Sequence, residues 1–266
     1  MWYETSYRRH LCDMHIEDWN EDFLSKFSPE DYFENLKHAN IQNAMVYFQS
    51  HVGYCYYPTA SGHMHRAFVG DEGKMKRLVD LCRDNGIRVT GYYSLIYNTW
   101  AHDVYPQWRM VGQDGRSQRE AMREKGQTIS AGEAAKQRYG LCCPNNKDYR
   151  TFVFQQIDEM MDYFTFDGMF FDMLFWPHFC YCESCKKRWE KEVGGELPKN
   201  EDWSDSHWRL HVHKRREWMG EFAQTMTDYV KTKRPEVSVE HNFASGVLPG
   251  WHLCAAEGVN NACDYT

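Results

Sequence analysis

The stretch of residues 167–185 constrains the fold more than any other part of the chain. Residues 169–171 form an apolar run, Met-Phe-Phe, which is too short for a helix and lies between a glycine and Asp172. Such a run is typical of a buried strand in a parallel sheet. Ligands of α/β sheets bind at the carboxyl ends of the strands, and an ionised carboxylate is costly to bury without a partner. We therefore expect Asp172 to belong to a functional site.

Cysteines directly after this strand indicate a metal site. Cys180, Cys182 and Cys185 place three thiols within six residues, and Cys143, earlier in the chain, supplies a fourth. Four thiolates complete a closed tetrahedral site and favour zinc over magnesium or calcium, so such a zinc would be structural rather than catalytic. Two alternatives stay open: Cys142 replaces Cys143 as a ligand, or the cysteines only fill the core.

The rest of the sequence alternates predicted strands with predicted helices. This order predicts an α/β fold with a parallel sheet, and polar residues at the carboxyl end of each strand are typical of a (β/α)8 TIM barrel. Strands are expected at residues 11–16, 44–48, 87–95, 169–171 and 237–240, with the start of a sixth at 263–265. Helices are expected at residues 29–39, 74–84, 148–164, 186–193 and 206–233.

The predicted number of strands is too low for a complete barrel. Eight strand–helix units need about 250 residues, whereas long loops, above all residues 97–140, leave room for five or six strands here. We expect one domain over residues 1–266, which is an incomplete TIM barrel, a fragment of a longer protein, or an open doubly wound sheet. A barrel cut at this point has an unpaired sheet edge, so a homo-oligomer is expected.

Composition excludes several classes of partner. The formal net charge of −7 argues against nucleic acid, which needs a basic face. No apolar run approaches the ~20 residues of a membrane helix, and the N-terminus has no export signal, so a cytoplasmic protein is expected. Aromatic residues make up 16% of the chain, and their flat faces with polar edges suit the faces of sugars.

Several of these motifs together resemble a known family. They are Asp167-Gly-Met-Phe-Phe-Asp172, the clustered cysteines, Cys143-Pro-Asn-Asn ahead of Tyr149-Arg150, and His15 in the first predicted strand. The combination resembles the catalytic barrel of glycosyl hydrolases related to α-L-fucosidases, of the hypothetical glycosyl hydrolase 6 type. The cysteine set is similar to that of the family 42 β-galactosidases.

The resemblance implies a retaining exo-glycosidase that acts on a carbohydrate substrate. Similarity to the α-L-fucosidases makes Asp172 the nucleophile, whereas alignment with the β-galactosidases would place an acid/base at this strand. An aspartate fits the first reading better. The related families have complete barrels, so this chain departs from them in its predicted number of strands.

A second carboxyl group and sugar-binding side chains are expected near other predicted strand ends. Glu240 is the first choice for the acid/base, Asp264 the second and Glu257 the third, and each is otherwise an exposed loop acid. Polar side chains would bind sugar hydroxyls, and two tryptophans would stack on sugar faces. These candidates are His15, His51, Tyr93, His241, Asn242, Trp100 and Trp176. Each of them is otherwise a structural residue.

Two functions of different class remain. The first is a retaining exo-glycosidase of α-L-fucosidase type that uses Asp172 and a second acid, and the acids at the strand ends favour it. The alternative is a non-catalytic carbohydrate-binding or assembly module formed by a partial barrel. The early end of the chain favours this alternative.

Overall fold

A parallel sheet of five strands is the centre of the fold, in a computed structural model that describes residues 1–124, 138–242 and 257–265. Its strands are β1 (Arg9–Leu11), β2 (Asn43–Tyr47), β5 (Arg88–Ser94), β6 (Gly168–Asp172) and β7 (Ser238–His241). They pair in the order β1-β2-β5-β6-β7. Two short strands, β3 (Tyr54–Cys55) and β4 (His63–Met64), form a separate ladder. The predicted α/β fold with a parallel sheet is confirmed.

Strand order in the sheet follows chain order. A doubly wound sheet reverses its order at a switch point, and no reversal occurs between β1 and β7. The doubly wound alternative is therefore wrong. Within the described residues no pairing joins β7 to β1, so the sheet is open there.

Two of the helices begin at polar residues whose side chains cap them. The side chain of Ser28 accepts a hydrogen bond from the backbone N–H of Asp31 at 3.0 Å, and Asn146 accepts one from Tyr149 at 2.9 Å. These bonds satisfy amides that have no partner inside the helix. The helices are α1 (Pro29–His38), α2 (Lys74–Asp84), α3 (Thr99–Val104), α4 (Gln118–Glu124), α5 (Lys147–Tyr163), α6 (Glu183–Glu192), α7 (Ser206–Lys233) and α8 (Glu257–Asn260). None of these helices is both long and apolar enough to cross a membrane.

Three predicted element positions are wrong. Residues 263–265, expected to start a sixth strand, form no strand. Only Arg9–Leu11 pair with β2, so His15 lies in the loop after β1 and not in the strand. Residues 97–140 were expected to form one long loop, but they contain α3 and α4. The side chain of Asn98 starts α3 by accepting a hydrogen bond from Ala101 N–H at 2.9 Å, a cap that the low periodicity of this region concealed. Residues 125–137 lie outside the described part of the chain.

The pleat of the sheet gives it two faces with different surroundings. Phe171 and His241 are register partners that point outward, where their rings stack at 5.2 Å and His241 Nε2 lies 2.8 Å from the Thr227 hydroxyl of α7. Successive side chains alternate in direction, so Asp172 points to the opposite, inner face. The candidate site is therefore on the inner face, at the carboxyl end of β6.

Residues near both ends of the described chain meet below the amino ends of the strands. Trp2 Nε1 donates a hydrogen bond to the Ser238 hydroxyl at the start of β7, at 3.1 Å. Tyr3 stacks on Tyr265 with ring centres 4.4 Å apart, and the Arg9 guanidinium lies 4.8 Å from the same Tyr265 ring. One aromatic cluster thus contacts both the first and the last strand of the sheet.

Candidate active site

Asp172 ends β6 and is held by hydrogen bonds from both neighbouring segments. Its Oδ1 accepts a hydrogen bond from Asn242 Nδ2 at 2.6 Å, directly after β7, and its Oδ2 accepts one from the Tyr92 hydroxyl of β5. The residue is 7% exposed. Donors on both oxygens satisfy a buried carboxylate and fix its orientation.

His15 extends this network towards the loop after β1. Its Nε2 lies 3.2 Å from the Tyr92 hydroxyl and 3.3 Å from the Tyr47 hydroxyl, and its Nδ1 accepts a hydrogen bond from the backbone N–H of His51 at 3.3 Å. Because Nδ1 is an acceptor, a neutral His15 carries its proton on Nε2. Burial lowers the pKa of His15, although the charges of Asp13 and Asp172 oppose this shift. His15 therefore donates to a hydroxyl that in turn donates to Asp172.

His51 forms a buried wall behind His15. The two imidazole rings stack with centres 3.9 Å apart, and the edge of Tyr139 packs on His51 at 4.9 Å. Burial, with smaller contributions from His15 and Arg138, lowers the pKa of His51 to about 3. A neutral ring here avoids a second positive charge beside His15 and Arg138.

Two tyrosines that were not predicted as site residues connect Asp172 and His15. Tyr47 and Tyr92 are register partners whose rings stack at 3.8 Å, nearly parallel. Burial raises the pKa of both hydroxyls, and the Asp172 charge adds to the effect at Tyr92, so both remain proton donors. The alternation of strand side chains was the signal that could have identified them, because Tyr92 faces the same way as Asp172 and Tyr93 does not.

The backbone turns sharply straight after Asp172. Met173 has φ of +55°, a left-handed conformation that is unfavourable for residues other than glycine. Such conformations persist where the surroundings enforce them, and they concentrate at ligand sites. This turn directs the following loop away from the strand and leaves the Asp172 carboxylate at the strand end.

Tyr93 and His241 do not lie in the site. Both belong to the outer face, where Tyr93 packs against Phe171 at 6.3 Å and His241 contacts Thr227 of α7. Tyr93 is fully buried, and among the described residues its hydroxyl has no hydrogen-bond partner. The predicted sugar-binding role of these two residues is corrected to core packing. Each neighbours an inward-pointing residue in its strand, so its own side chain points to the outer face.

The two tryptophans proposed as stacking surfaces also pack elsewhere. Trp176 is 1% exposed and packs against Trp218 and the Arg215 side chain under the loop after β6. Trp100 is partly exposed, and its ring faces the outer layer, with Phe152 of α5 at 6.2 Å. Neither ring adjoins the Asp172 network, so both are corrected to packing residues.

The predicted partner acids take different positions. Glu240 lies on the inner face, in register with Phe170. It is two residues before Asn242 and therefore deeper than the strand end. Burial raises its pKa, against a hydrogen bond from Tyr265 and the charge of Arg9. Asp264 lies on the outer edge of β7, where it bonds the backbone N–H of Val239 at 2.7 Å and Lys231 Nζ at 2.6 Å. The Glu257 side chain lies outside the described residues.

The four predicted cysteines form a cluster beside the loop that follows Asp172. Their sulfur atoms all lie within 4.8 Å of one another, and Cys143 Sγ is 3.4 Å from Cys185 Sγ. Neighbouring thiols at hydrogen-bond distance hold the pKa of Cys182 well below its usual range, while burial raises the pKa of Cys143 and Cys185. The cluster can hold a metal ion, with Cys143 and not Cys142 as the fourth member.

Comparison with protein families identifies the chain. Residues 28–173, more than half of it, match the family described as hypothetical glycosyl hydrolase 6. The chain belongs to this family. The matched range of hypothetical glycosyl hydrolase 6 contains Tyr47, His51, Tyr92 and Asp172, whereas His15 and Asn242 lie outside it. Comparison with curated proteins gave no match.

Solved structures share the fold of this hypothetical glycosyl hydrolase 6 chain. The α-L-fucosidase isoenzyme 2 from Paenibacillus thiaminolyticus matches with a TM-score of 0.73 and 20% identity, over 97% of this chain and 35% of the fucosidase. The PgaB (BpsB) glycoside hydrolase domain from Bordetella bronchiseptica matches with a TM-score of 0.59 and 10% identity, over 86% of this chain and 62% of that domain. This chain therefore spans about a third of the length of the fucosidase.

Replacing Tyr92 and Tyr93 separately by phenylalanine should distinguish the two faces of β5. Tyr92→Phe removes a hydrogen bond to a buried carboxylate and should lower the free energy of unfolding by about 1.5–3 kcal/mol. Tyr93→Phe removes a hydroxyl that has no partner among the described residues, so it should change the free energy of unfolding by less than about 0.5 kcal/mol. Urea denaturation at pH 7 measures both, and equal losses would contradict the assignment of Tyr92 to the Asp172 network.

Proposed function

We propose that this chain carries the catalytic face of a retaining exo-glycosidase with α-L-fucosidase-like specificity. The observation that supports the proposal most is the Asp172 carboxylate, oriented at a strand end by Asn242 and Tyr92. Membership of the hypothetical glycosyl hydrolase 6 family supports a glycosidase, and the fucosidase neighbour suggests the sugar.

We further propose that the sheet is part of a (β/α)8 barrel. Parallel strands in uninterrupted chain order, each connected by helices, are the winding of that barrel. The position of Tyr265 supports it, because this side chain contacts Arg9 of β1 and hydrogen-bonds Glu240 of β7, and contact with both end strands requires the sheet to curl. Active sites of such barrels lie at the carboxyl ends of the strands, where Asp172 is found.

Asp172 has the properties that a nucleophile needs. In a retaining mechanism one carboxylate attacks the anomeric carbon and forms a glycosyl-enzyme, which water then hydrolyses. Low exposure limits competition from bulk water, and the bonds from Asn242 and Tyr92 hold the attacking oxygen in place without a rearrangement at the moment of reaction. The adjacent His15, His51 and Asn242 are the side chains that we propose for contacts with sugar hydroxyls.

Glu240 is the partner acid that we propose. It shares the inner face with Asp172 and lies two residues deeper on the neighbouring strand, so its side chain must extend towards Asp172 to give the separation of about 5–5.5 Å between carboxyl groups that a retaining pair needs. Burial raises its pKa, which favours the protonated form that a general acid requires. Asp264 is less suitable, because Lys231 and the Val239 amide already bind its carboxylate at the outer edge of β7.

The cysteine cluster fits structural zinc. Tetrahedral zinc with metal–sulfur bonds of about 2.3 Å needs sulfurs about 3.8 Å apart, which is compatible with four sulfurs that lie within 4.8 Å of one another. Four thiolates leave no open position for substrate, so bound zinc would only connect the segment before α5 to the start of α6. Cys143, Cys180, Cys182 and Cys185 would hold it.

Chemical rescue tests the proposed nucleophile. Asp172→Ala should lower kcat on 4-nitrophenyl α-L-fucoside by at least about 1,000-fold, because the covalent step is lost. Added azide should then restore part of the activity and give a fucosyl azide of inverted configuration. Glu240→Ala should instead retain activity on substrates whose leaving group needs no proton, and azide should give a product of retained configuration.

Asp167→Ala is the matched control for this experiment. Asp167 is the first acid of the same motif, but it lies before β6 and pairs with Arg83 at 3.1 Å and Arg88 at 2.8 Å. Its replacement should lower stability without any azide rescue. Wild-type activity in Asp172→Ala would make Asp172 a structural residue and remove the proposal.

Elemental analysis tests the zinc assignment. The purified chain should contain about one zinc per molecule, because four sulfur ligands are already grouped. Cys182→Ser should lose the metal and melt at lower temperature, whereas Cys82→Ser, a buried cysteine of α2 outside the cluster, should keep the metal. A metal-free wild-type protein with all of its thiols open to titration would exclude the site.

A further inference from the structure

A shallow, open cavity adjoins the Asp172 network on the far side of His15. It has a volume of about 480 Å³ and is lined by residues of the loop between β1 and α1, among them His15, Glu17, Trp19 and Phe23. Ligand pockets have volumes from about 300 to 1,000 Å³. A pocket of this size has room for a sugar ring.

An exposed aromatic surface forms one wall of this cavity. Trp19 is 69% exposed, and the ring of Phe23 packs edge-on against it at 4.8 Å, which fixes the orientation of the indole. An exposed indole offers apolar area that a ligand can remove from water. A flat aromatic face held in this way suits the C–H face of a pyranose ring.

Carboxylates border the same surface. Glu17 and Asp22 line the cavity, and within the described residues their hydrogen bonds involve backbone atoms, so both carboxylates are available as acceptors. The positive charges of Arg119 and Arg138 act on the Glu17 carboxyl. Free acceptors beside an aromatic face match the hydroxyl groups at the edge of a sugar.

The backbone of the loop is constrained around this wall. Leu24 has φ of +60°, a left-handed conformation that is rare for leucine and concentrates at ligand sites. The loop is also anchored to the ladder of short strands, because the His65 ring lies 2.9 Å from the Glu17 carbonyl oxygen. Loops as long as residues 12–28 inside a compact fold are usually functional.

We propose that Trp19, with Phe23, Glu17 and Asp22, forms a subsite for the sugar residue on the leaving-group side of the cleaved bond. The inference rests on the proposed function, since Asp172 and Asn242 would hold the sugar that is released and His15 separates the two positions. The substrates would then be oligosaccharides and not glycosides of small alcohols.

Two substrates with the same glycosyl group separate this subsite from the catalytic step. In 2′-fucosyllactose the leaving group is a sugar that can reach Trp19, whereas in α-L-fucosyl fluoride it is a single atom that cannot. Trp19→Ala should lower kcat/KM for 2′-fucosyllactose by about tenfold or more and for the fluoride by less than about twofold. Trp19→Phe, which keeps a smaller aromatic face, should lose less than Trp19→Ala.

Trp203→Ala is the matched control. Trp203 is also an exposed tryptophan, at 47%, but it lies just before α7 and does not line the cavity. Trp203→Ala should leave kcat/KM unchanged for both substrates. Equal losses on both substrates in Trp19→Ala, or no loss on either, would overturn the subsite while leaving the glycosidase intact.

Binding to an array of defined oligosaccharides tests the subsite without requiring turnover. If the wild-type chain hydrolyses neither substrate but binds an oligosaccharide, and Trp19→Ala loses that binding while Trp203→Ala keeps it, the proposed function fails but Trp19 is still part of a sugar-binding site. A wild-type chain that binds no oligosaccharide and cleaves none, or binding that Trp19→Ala leaves unchanged, would overturn the subsite.

Discussion

The hydrogen bonds that converge on Asp172 are the constraint on which the site depends. They come from β5 and from the residue after β7, so the carboxylate is oriented only when three strands are in register. A slip of β5 by one residue would turn Tyr92 outward and break its hydrogen bond to Asp172. The orientation of the Asp172 carboxylate therefore depends on the register of the sheet.

The sequence predicted the elements better than the faces of the strands. The sequence located the helices that follow Ser28 and Asn146, each of which begins at a side-chain cap, and the apolar run before Asp172 located β6, because these signals are local. The choice between Tyr92 and Tyr93 depends instead on pairing with distant strands, and local sequence does not encode it. The first strand was misplaced for the same reason, since its limits are set by pairing with β2.

The surroundings of Asp172 are reinforced from two sides. Beyond the strand end, the left-handed Met173 begins the loop that leads to the clustered cysteines and to α6. Below the sheet, the ring of Tyr265 contacts Arg9 and Tyr3 and brings residues near both ends of the described chain together. Neither arrangement has a local sequence signature except the cysteine spacing, which is why only the cysteine cluster was predicted.

Trapping the covalent intermediate tests the central claim most directly. The wild-type chain is incubated with 2-deoxy-2-fluoro-α-L-fucosyl fluoride, which slows hydrolysis of a glycosyl-enzyme, and is then digested and sequenced by mass spectrometry. The account predicts a single fluorofucosyl ester on Asp172, absent from Asp172→Ala. An ester on another carboxylate, such as Asp13 or Glu240, or hydrolysis of fucosides without any ester, would contradict it.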